Sequence, residues 1–119
     1  MNREIVIAGG GLAGLALGLG LRRRGLPVTV HEAARYPRHR VCGEFISGVG
    51  QPTLQALGLV EDLADARRHR SVAWYRLGRK ILEDELPDPA LGISRHRLDR
   101  RLAARLRSAG GRVVEGSRL

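Results

Sequence analysis

The stretch that decides the fold runs from Ile5 to Glu32 and reads IVIAGGGLAGLALGLGLRRRGLPVTVHE. Its first four residues, IVIA, are typical of a fully buried strand in a parallel sheet, and they lead directly into the run GGGLAG. A second apolar segment, Val28 to His31, follows a turn at Gly25-Leu26-Pro27. The order predicts a strand, a glycine turn, a helix buried on both sides and a second strand.

The glycines of the turn have the spacing G-x-G-x-x-G at Gly9, Gly11 and Gly14. Gly9 permits a sharp turn off the strand, Gly11 lets a diphosphate approach the backbone, and Gly14 lets the helix lie close to the strand. The unpaired N–H groups at the start of the helix, at Leu12 and Ala13, favour an anion there. This spacing, directly after a strand, predicts a dinucleotide site.

Glu32 closes the second strand. A carboxylate at this point can accept hydrogen bonds from both hydroxyls of an adenosine ribose, and it would repel a 2′-phosphate. We therefore expect an ADP-containing dinucleotide, FAD or NAD, rather than NADP. An uncharged run such as residues 5–21 also occurs in signal sequences and membrane helices, but this one is short for a span and its basic cluster, Arg22-Arg23-Arg24, follows the run instead of preceding it.

Length and composition fit one small domain with a hydrophobic core. The chain has 119 residues, of which 43% are hydrophobic. The single Cys42 excludes an intramolecular disulfide, and the absence of a leader in the sequence predicts a cytoplasmic location. We expect no metal site and no transmembrane segment, while peripheral contact with a membrane stays open.

The net charge of +9 raises nucleic-acid binding as an alternative. The basic residues are all arginines except Lys80, which indicates a compositional preference for arginine. Aromatic residues for base stacking are few, and the acidic clusters at 61–65 and 83–88 interrupt any positive stripe. We therefore predict no nucleic-acid partner.

Residues 33–50 combine Pro37, glycines and alternating basic residues, which predicts a functional loop. A segment that leaves the carboxyl end of the second strand lies over the crevice where a dinucleotide binds. Arg35 and Arg38 are interpreted as solvated surface residues. Arg40 is the better candidate for a cofactor contact.

Residues 1–50 resemble the N-terminus of the FAD-dependent oxidoreductases that include geranylgeranyl reductases and aromatic-ring hydroxylases. The likeness rests on GGGLAGLALGLGLRRRG, on the strand that ends in Glu32, and on YPRHRVCGEFIS, which resembles the family segment P-R-x-K-x-C-G-E. Arg40 replaces the usual Lys, and Leu12 replaces a frequent Pro. The resemblance implies FAD as cofactor, with Cys42, Gly43 and Glu44 near the isoalloxazine. Cys42 has an ordinary alternative as a buried small hydrophobe.

The middle of the chain predicts a small covering layer. Residues 51–66 place leucines near helical spacing around Gly58, which predicts two short helices. Residues 71–86 predict an inserted β-hairpin that turns at Gly78. Trp74 and Tyr75 are expected either in the sheet core or at the border of a substrate pocket.

The last third predicts a helix and a strand. Ser94 is a plausible N-cap for an amphipathic helix that ends at Gly110-Gly111. Its start resembles the family pattern R-x-x-L-D, in which Arg95 would reach the cofactor; the alternative is that Arg95 pairs with Asp99, and the two are compatible. Residues 112–115 predict a third strand beside the second, which gives a parallel sheet of order 3-2-1.

The sequence thus predicts a Rossmann-like α/β fold over residues 1–119, the N-terminal and incomplete portion of an FAD-binding domain. We expect the longer protein to be a flavin-dependent oxidoreductase, either a C=C reductase or a monooxygenase, that takes electrons from NAD(P)H and acts on a small isoprenoid or aromatic molecule. The chain by itself is expected to be inactive. The alternatives are an NAD-dependent dehydrogenase fragment and a non-catalytic nucleotide-binding module. No catalytic acid or base, and no oligomeric state, can be assigned. The residues expected to bind the cofactor are Gly9, Gly11, Leu12, Ala13, Gly14, Glu32, Arg40, Cys42, Gly43 and Arg95.

Overall fold

The computed structural model describes residues 3–42, 44–47 and 50–119. The chain divides into two compact units, a first unit of Met1–Val41 with Ser94–Leu119 and a second unit of Cys42–Ile93. In chain order the helices and strands are β1 (Ile5–Ala8), α1 (Leu12–Arg23), β2 (Val28–Glu32), β3 (Phe45–Ile46), α2 (Gln51–Ala56), a short 3₁₀ helix (Glu61–Leu63), β4 (Arg67–Arg76), β5 (Arg79–Gly92), α3 (Arg95–Ser108) and β6 (Arg112–Glu115).

The first unit is built on a parallel sheet of order β1-β2-β6. Ile5 pairs with Val28, and Val30 pairs with Val113, so β2 is the central strand. The carboxyl ends of all three strands therefore lie at one edge of the sheet, where ligands bind in open α/β folds. The predicted sheet order is confirmed.

The core of the first unit lies between the sheet and its two long helices. Leu15, Val30 and Leu106 are fully buried. Gly18 allows α1 and α3 to approach, because a Cβ there would lie 2.9 Å from Leu106 Cδ2. The prediction that α1 is buried on both sides was wrong, since Leu17 is half-exposed.

The prediction that β1 is fully buried was also wrong. Val6 is 53% exposed, while its neighbour Ile7 is buried. Successive side chains of a strand point to opposite faces, and the helices of this unit pack on one face of the sheet. The pattern of an apolar run therefore predicted the strand, but it did not predict how many of its faces are covered.

The second unit contains an antiparallel sheet of order β3-β5-β4. Its hairpin is longer at both ends than the predicted 71–86. Pro87 and Pro89 concealed the end of β5 from pattern analysis, and they lie where the pairing shifts register between His69 and Ser71. The two predicted short helices are present as α2 and the 3₁₀ helix.

The hairpin side chains correct one further expectation. Trp74 and Tyr75 are both exposed, so neither is part of a sheet core among the described residues. Within the part of the chain that the structure describes, no helix is both long and apolar enough to span a bilayer.

Candidate dinucleotide site

The glycine turn connects β1 to α1 through conformations that need glycine. Gly9 has a φ of +104°, and its N–H donates to the carbonyl of His31 at 2.8 Å, which ties the turn to β2. A Cβ at Gly14 would lie 1.9 Å from the carbonyl oxygen of Gly9. Any side chain at Gly14 would therefore separate the helix from the turn.

The amino end of α1 has the properties of an anion site. Gly11 is the N-cap residue, and no side chain among the described residues caps this end of the helix. Its first turn contains no acidic residue. The N–H groups at Leu12 and Ala13, in that first turn, are available to an anion, and the helix dipole adds partial positive charge.

Gly11 leaves open space in front of this helix end. A Cβ built on Gly11 would have Arg95 Nη2 as its nearest neighbour, at 3.8 Å. The guanidinium of Arg95 therefore lies beside the turn without filling it. A ligand can approach the backbone here, and a positive charge is close by.

The carboxylate of Glu32 lies at the mouth of the turn. The residue is only 5% exposed, and Oε2 accepts a hydrogen bond from the Gly10 N–H at 2.8 Å while Oε1 accepts one from the Ala34 N–H at 2.8 Å. Burial raises the pKa of this carboxyl, but the two N–H groups and the charge of Arg40 outweigh burial and leave the pKa below its usual value. Glu32 is therefore ionised at neutral pH.

Glu32 belongs to a network of ion pairs that also includes Arg40, Asp99 and Arg95. Arg40 Nη2 lies 3.3 Å from Glu32 Oε2, and Arg40 Nε lies 3.3 Å from Asp99 Oδ2. Arg95 binds Asp99 in a bidentate pair, with N···O distances of 2.8 and 3.0 Å. Asp99 is fully buried, so these arginines compensate its charge. Arg95 thus pairs with Asp99, as one of its two predicted roles requires, and its guanidinium lies beside the glycine turn. Contact between Arg95 and a cofactor stays a prediction.

Tyr36 is a part of the site that sequence analysis missed. Its hydroxyl donates to the carbonyl of Gly10 at 2.5 Å, and its backbone N–H donates to Glu115 Oε1 at 2.6 Å. Burial and the neighbouring carboxylates, chiefly Glu32, raise the pKa of the phenol far above its usual value. An isolated aromatic residue in a loop has no periodicity to reveal such a contact.

A cavity of about 350 Å³ opens beside the glycine turn and the end of β2. It brings together four of the predicted cofactor-binding residues, Gly9, Gly11, Glu32 and Arg40. It also has lining residues that sequence analysis did not select, namely Ala8, His31, Ala33, Ser117, Arg118 and Leu119.

One predicted residue is placed differently, and another cannot be compared with its prediction. Cys42 is exposed and belongs to the second unit, so the interpretation as a buried hydrophobe was wrong. Its Sγ accepts a hydrogen bond from the Glu44 N–H, with an N···S distance of 3.4 Å. Gly43 lies outside the described residues. A cofactor-binding role for any residue of the predicted set stays a prediction.

Comparison with known proteins supports the fold. The chain is 30% identical to menaquinone reductase of Mycobacterium tuberculosis over 122 aligned residues, which cover 98% of this chain and 30% of that protein. It superposes on 2-methyl-3-hydroxypyridine-5-carboxylic acid oxygenase with a TM-score of 0.87 and 24% identity, covering 99% of this chain and 32% of the other. The flavin-dependent monooxygenase PieE, solved in complex with FAD and substrate, gives a TM-score of 0.81 at 18% identity, covering 98% and 24%.

The chain therefore spans less than a third of the length of each of these proteins. No family model matches it. The structural likeness shows that the chain has the fold of the FAD-binding, Rossmann-like domain of flavin-dependent monooxygenases.

Proposed function

We propose that residues 1–119 form the N-terminal portion of the FAD-binding domain of a flavin-dependent oxidoreductase. The observation on which the proposal rests is that Glu32, with its carboxylate, and Gly11, with its open backbone, are lining residues of the same cavity. One group suits ribose hydroxyls and the other suits a diphosphate. The fold shared with flavin-dependent monooxygenases supports FAD as the dinucleotide.

The residues around the cavity fit the ADP part of FAD. Each carboxylate oxygen can accept two hydrogen bonds, so Glu32 Oε1, which accepts one from Ala34, retains capacity for a ribose hydroxyl. The amino end of α1 would hold the diphosphate, and Arg40, whose side chain also lines the cavity, adds positive charge. When bound, FAD would supply electron transfer between a donor and the substrate.

For the longer protein we propose either reduction of a carbon–carbon double bond, as in geranylgeranyl reductases, or monooxygenation, with a nicotinamide as electron donor. The similarity to menaquinone reductase supports a reductase, and the fold shared with oxygenases supports a monooxygenase. The oxygen dependence of turnover, measured on a longer protein that includes this chain, would distinguish the two reactions. A reductase turns over without oxygen, whereas a monooxygenase consumes one O₂ for each hydroxylated product.

Ligand titration of the purified chain tests the FAD assignment. FAD, NAD and free ADP share the group that the site fits, so we expect calorimetry to show weak binding of all three by this chain alone. We expect no binding of NADP, because Glu32 would repel its 2′-phosphate. Tighter binding of NAD than of FAD would favour the NAD-dependent dehydrogenase. Absence of binding by every ADP-containing ligand would contradict the dinucleotide site itself.

A further inference from the structure

The end of the β4–β5 hairpin exposes an unusual amount of apolar surface. We call residues 74–82 the hairpin tip. Among the described residues, it holds several of the chain's exposed large hydrophobic side chains, and the turn residue Leu77 is 95% exposed. The apolar residues of the tip are Trp74, Tyr75, Leu77, Ile81 and Leu82.

The turn of the tip contains a leucine where folding alone favours another residue. Leu77 has a φ of +48° and Gly78 a φ of +77°, which is the backbone of a two-residue hairpin turn with both residues in the left-handed region. Asn and Asp are favoured at the first position because their short polar side chains can form local hydrogen bonds in the left-handed conformation. A Leu side chain has no such compensation and is disfavoured there. Leu77 therefore costs conformational energy and buries almost no surface in return.

The apolar side chains of the tip lie on both faces of the hairpin. Trp74 and Leu82 are cross-strand partners and share one face. The pairing shifts register between Trp74 and Tyr75, but the extra residue, Ile81, lies on β5. Consecutive residues of β4 therefore still alternate, and Tyr75 lies on the opposite face from Trp74. A protein surface that packs on one face would leave the other face and Leu77 in water, whereas a fluid apolar phase would surround all of them.

Charge is distributed unevenly along the hairpin. Basic side chains lie at the tip and acidic side chains lie further along β5. Lys80 forms an ion pair with Glu83, so the positive charge of the tip comes mainly from its two arginines. The tip would be attracted to an anionic surface, and the acidic part of β5 would be repelled by it. The basic residues are Arg76, Arg79 and Lys80; the acidic ones are Glu83, Asp84, Glu85 and Asp88.

We propose that the hairpin tip inserts into the interfacial layer of an anionic phospholipid bilayer. Trp and Tyr are enriched at membrane–water interfaces, Leu77 would enter the acyl boundary, and Arg76 and Arg79 would contact lipid phosphates. The surface lies within the second unit, and no residue predicted to bind the cofactor belongs to the hairpin tip, so we expect vesicle binding without FAD. It would hold the protein at the membrane while leaving the chemistry of the first unit unchanged.

The sequence provides a built-in probe, because Trp74 is the chain's one tryptophan. The purified chain is mixed with vesicles of phosphatidylglycerol and phosphatidylcholine, or of phosphatidylcholine alone. We expect a blue shift of Trp74 emission and quenching by brominated acyl chains with the anionic vesicles only. Unchanged emission with anionic vesicles would overturn the proposal.

Leu77→Asn separates membrane binding from folding. Asn suits the left-handed turn, so the melting temperature should stay constant or rise. Loss of the Leu77 side chain, which would be buried only on insertion into the bilayer, should weaken vesicle binding roughly tenfold to a hundredfold. The matched control is Val41→Asn, which removes a fully exposed apolar residue outside the hairpin and should leave binding unchanged. Equal vesicle binding by Leu77→Asn and the wild type would contradict insertion of the tip.

The charge of the tip has its own test. The double variant R76Q/R79Q should bind anionic vesicles roughly thirtyfold more weakly, since each basic residue near such a surface contributes about 1 kcal/mol. R23Q/R24Q changes the net charge equally on exposed residues of the first unit and should bind as the wild type does. Equal losses in both variants would show attraction by net charge alone, which overturns a specific tip contact.

Self-association is the competing explanation for the exposed tip. If Trp74 emission shifts with protein concentration in the absence of lipid, and sedimentation shows a dimer that Leu77→Asn abolishes, the tip is an interface between copies and the membrane proposal is overturned. A monomer across the same concentrations, together with vesicle binding, supports it.

Discussion

Glu32 accepts a hydrogen bond from the backbone N–H of Gly10 at 2.8 Å, across 22 residues of sequence. The bond joins the end of β2 to the glycine turn, so the group proposed to bind ribose and the backbone proposed to bind phosphate are fixed relative to each other. A site that is organised before its ligand arrives loses less entropy on binding.

Gly11 and Gly14 are predicted to have separable roles. Gly14→Ala should lower the free energy of unfolding by about 1–3 kcal/mol, because its Cβ would overlap the carbonyl of Gly9 at 1.9 Å. Gly11→Ala should lower it by less than about 1 kcal/mol, since its Cβ meets only Arg95 Nη2 at 3.8 Å. Gly11→Ala should nevertheless weaken FAD binding by about tenfold or more. Urea unfolding and calorimetric titration measure the two effects, and full FAD affinity in folded Gly11→Ala would contradict the site.

Glu32 should make the fold sensitive to acid. Because the pKa of its carboxyl is lowered in the folded state, its contribution is present above the usual value of 4.5 and is lost as the pH falls through the lower folded value. Glu32→Gln should lower the free energy of unfolding at pH 7 by about 1.5–3 kcal/mol, and the difference from the wild type should shrink below pH 4.5. Glu85→Gln, on an exposed part of β5, is the control. It should change neither the free energy of unfolding at pH 7 nor its dependence on pH. A difference that does not vary with pH would show that ionisation of Glu32 is not the cause.

Arg95 should require its planar, forked side chain. Arg95→Lys replaces a bidentate pair with a single contact to the fully buried Asp99, and we expect the free energy of unfolding to fall by about 1.5–3 kcal/mol. FAD affinity should fall as well, because the guanidinium lies beside Gly11. Arg100→Lys changes an exposed arginine of the same helix and should be neutral. Equal stability of both variants would mean that Arg40 alone compensates Asp99.

Gly10 and Tyr36 should behave as a coupled pair. A Cβ on Gly10 would lie 2.0 Å from Tyr36 Oη and 2.9 Å from Glu32 Cβ, so Gly10→Ala should cost about 1–3 kcal/mol. Tyr36→Phe removes the hydrogen bond to the Gly10 carbonyl and should cost about 1 kcal/mol. Tyr36→Phe also removes the Oη atom that a Cβ on Gly10 would overlap. The double variant should therefore be more stable, by at least about 0.5 kcal/mol, than the sum of the two single losses predicts. A double-mutant cycle in urea measures this energy, and additive losses would contradict the contact.

Some elements could be predicted because their signals are local. β1, α1 and β2 follow from an apolar run, a glycine spacing and a terminal acid, and α3 follows from its N-cap Ser94 and its leucine stripe. The order of the parallel sheet follows from the handedness of crossover connections. The length of β5 was underestimated because proline normally interrupts a strand, whereas Pro87 and Pro89 are accommodated here at a register shift.

The sequence by itself determined the βαβ unit, the turn residues that need glycine and the position of Glu32 at a strand end. These depend on backbone conformation and periodicity, which neighbouring residues specify. Only the tertiary structure decided that Tyr36 would contact Gly10, that Arg40 would pair with the buried Asp99, and that the hairpin would expose Trp74. The first two contacts join residues far apart in the chain, and all three features depend on how the folded elements pack.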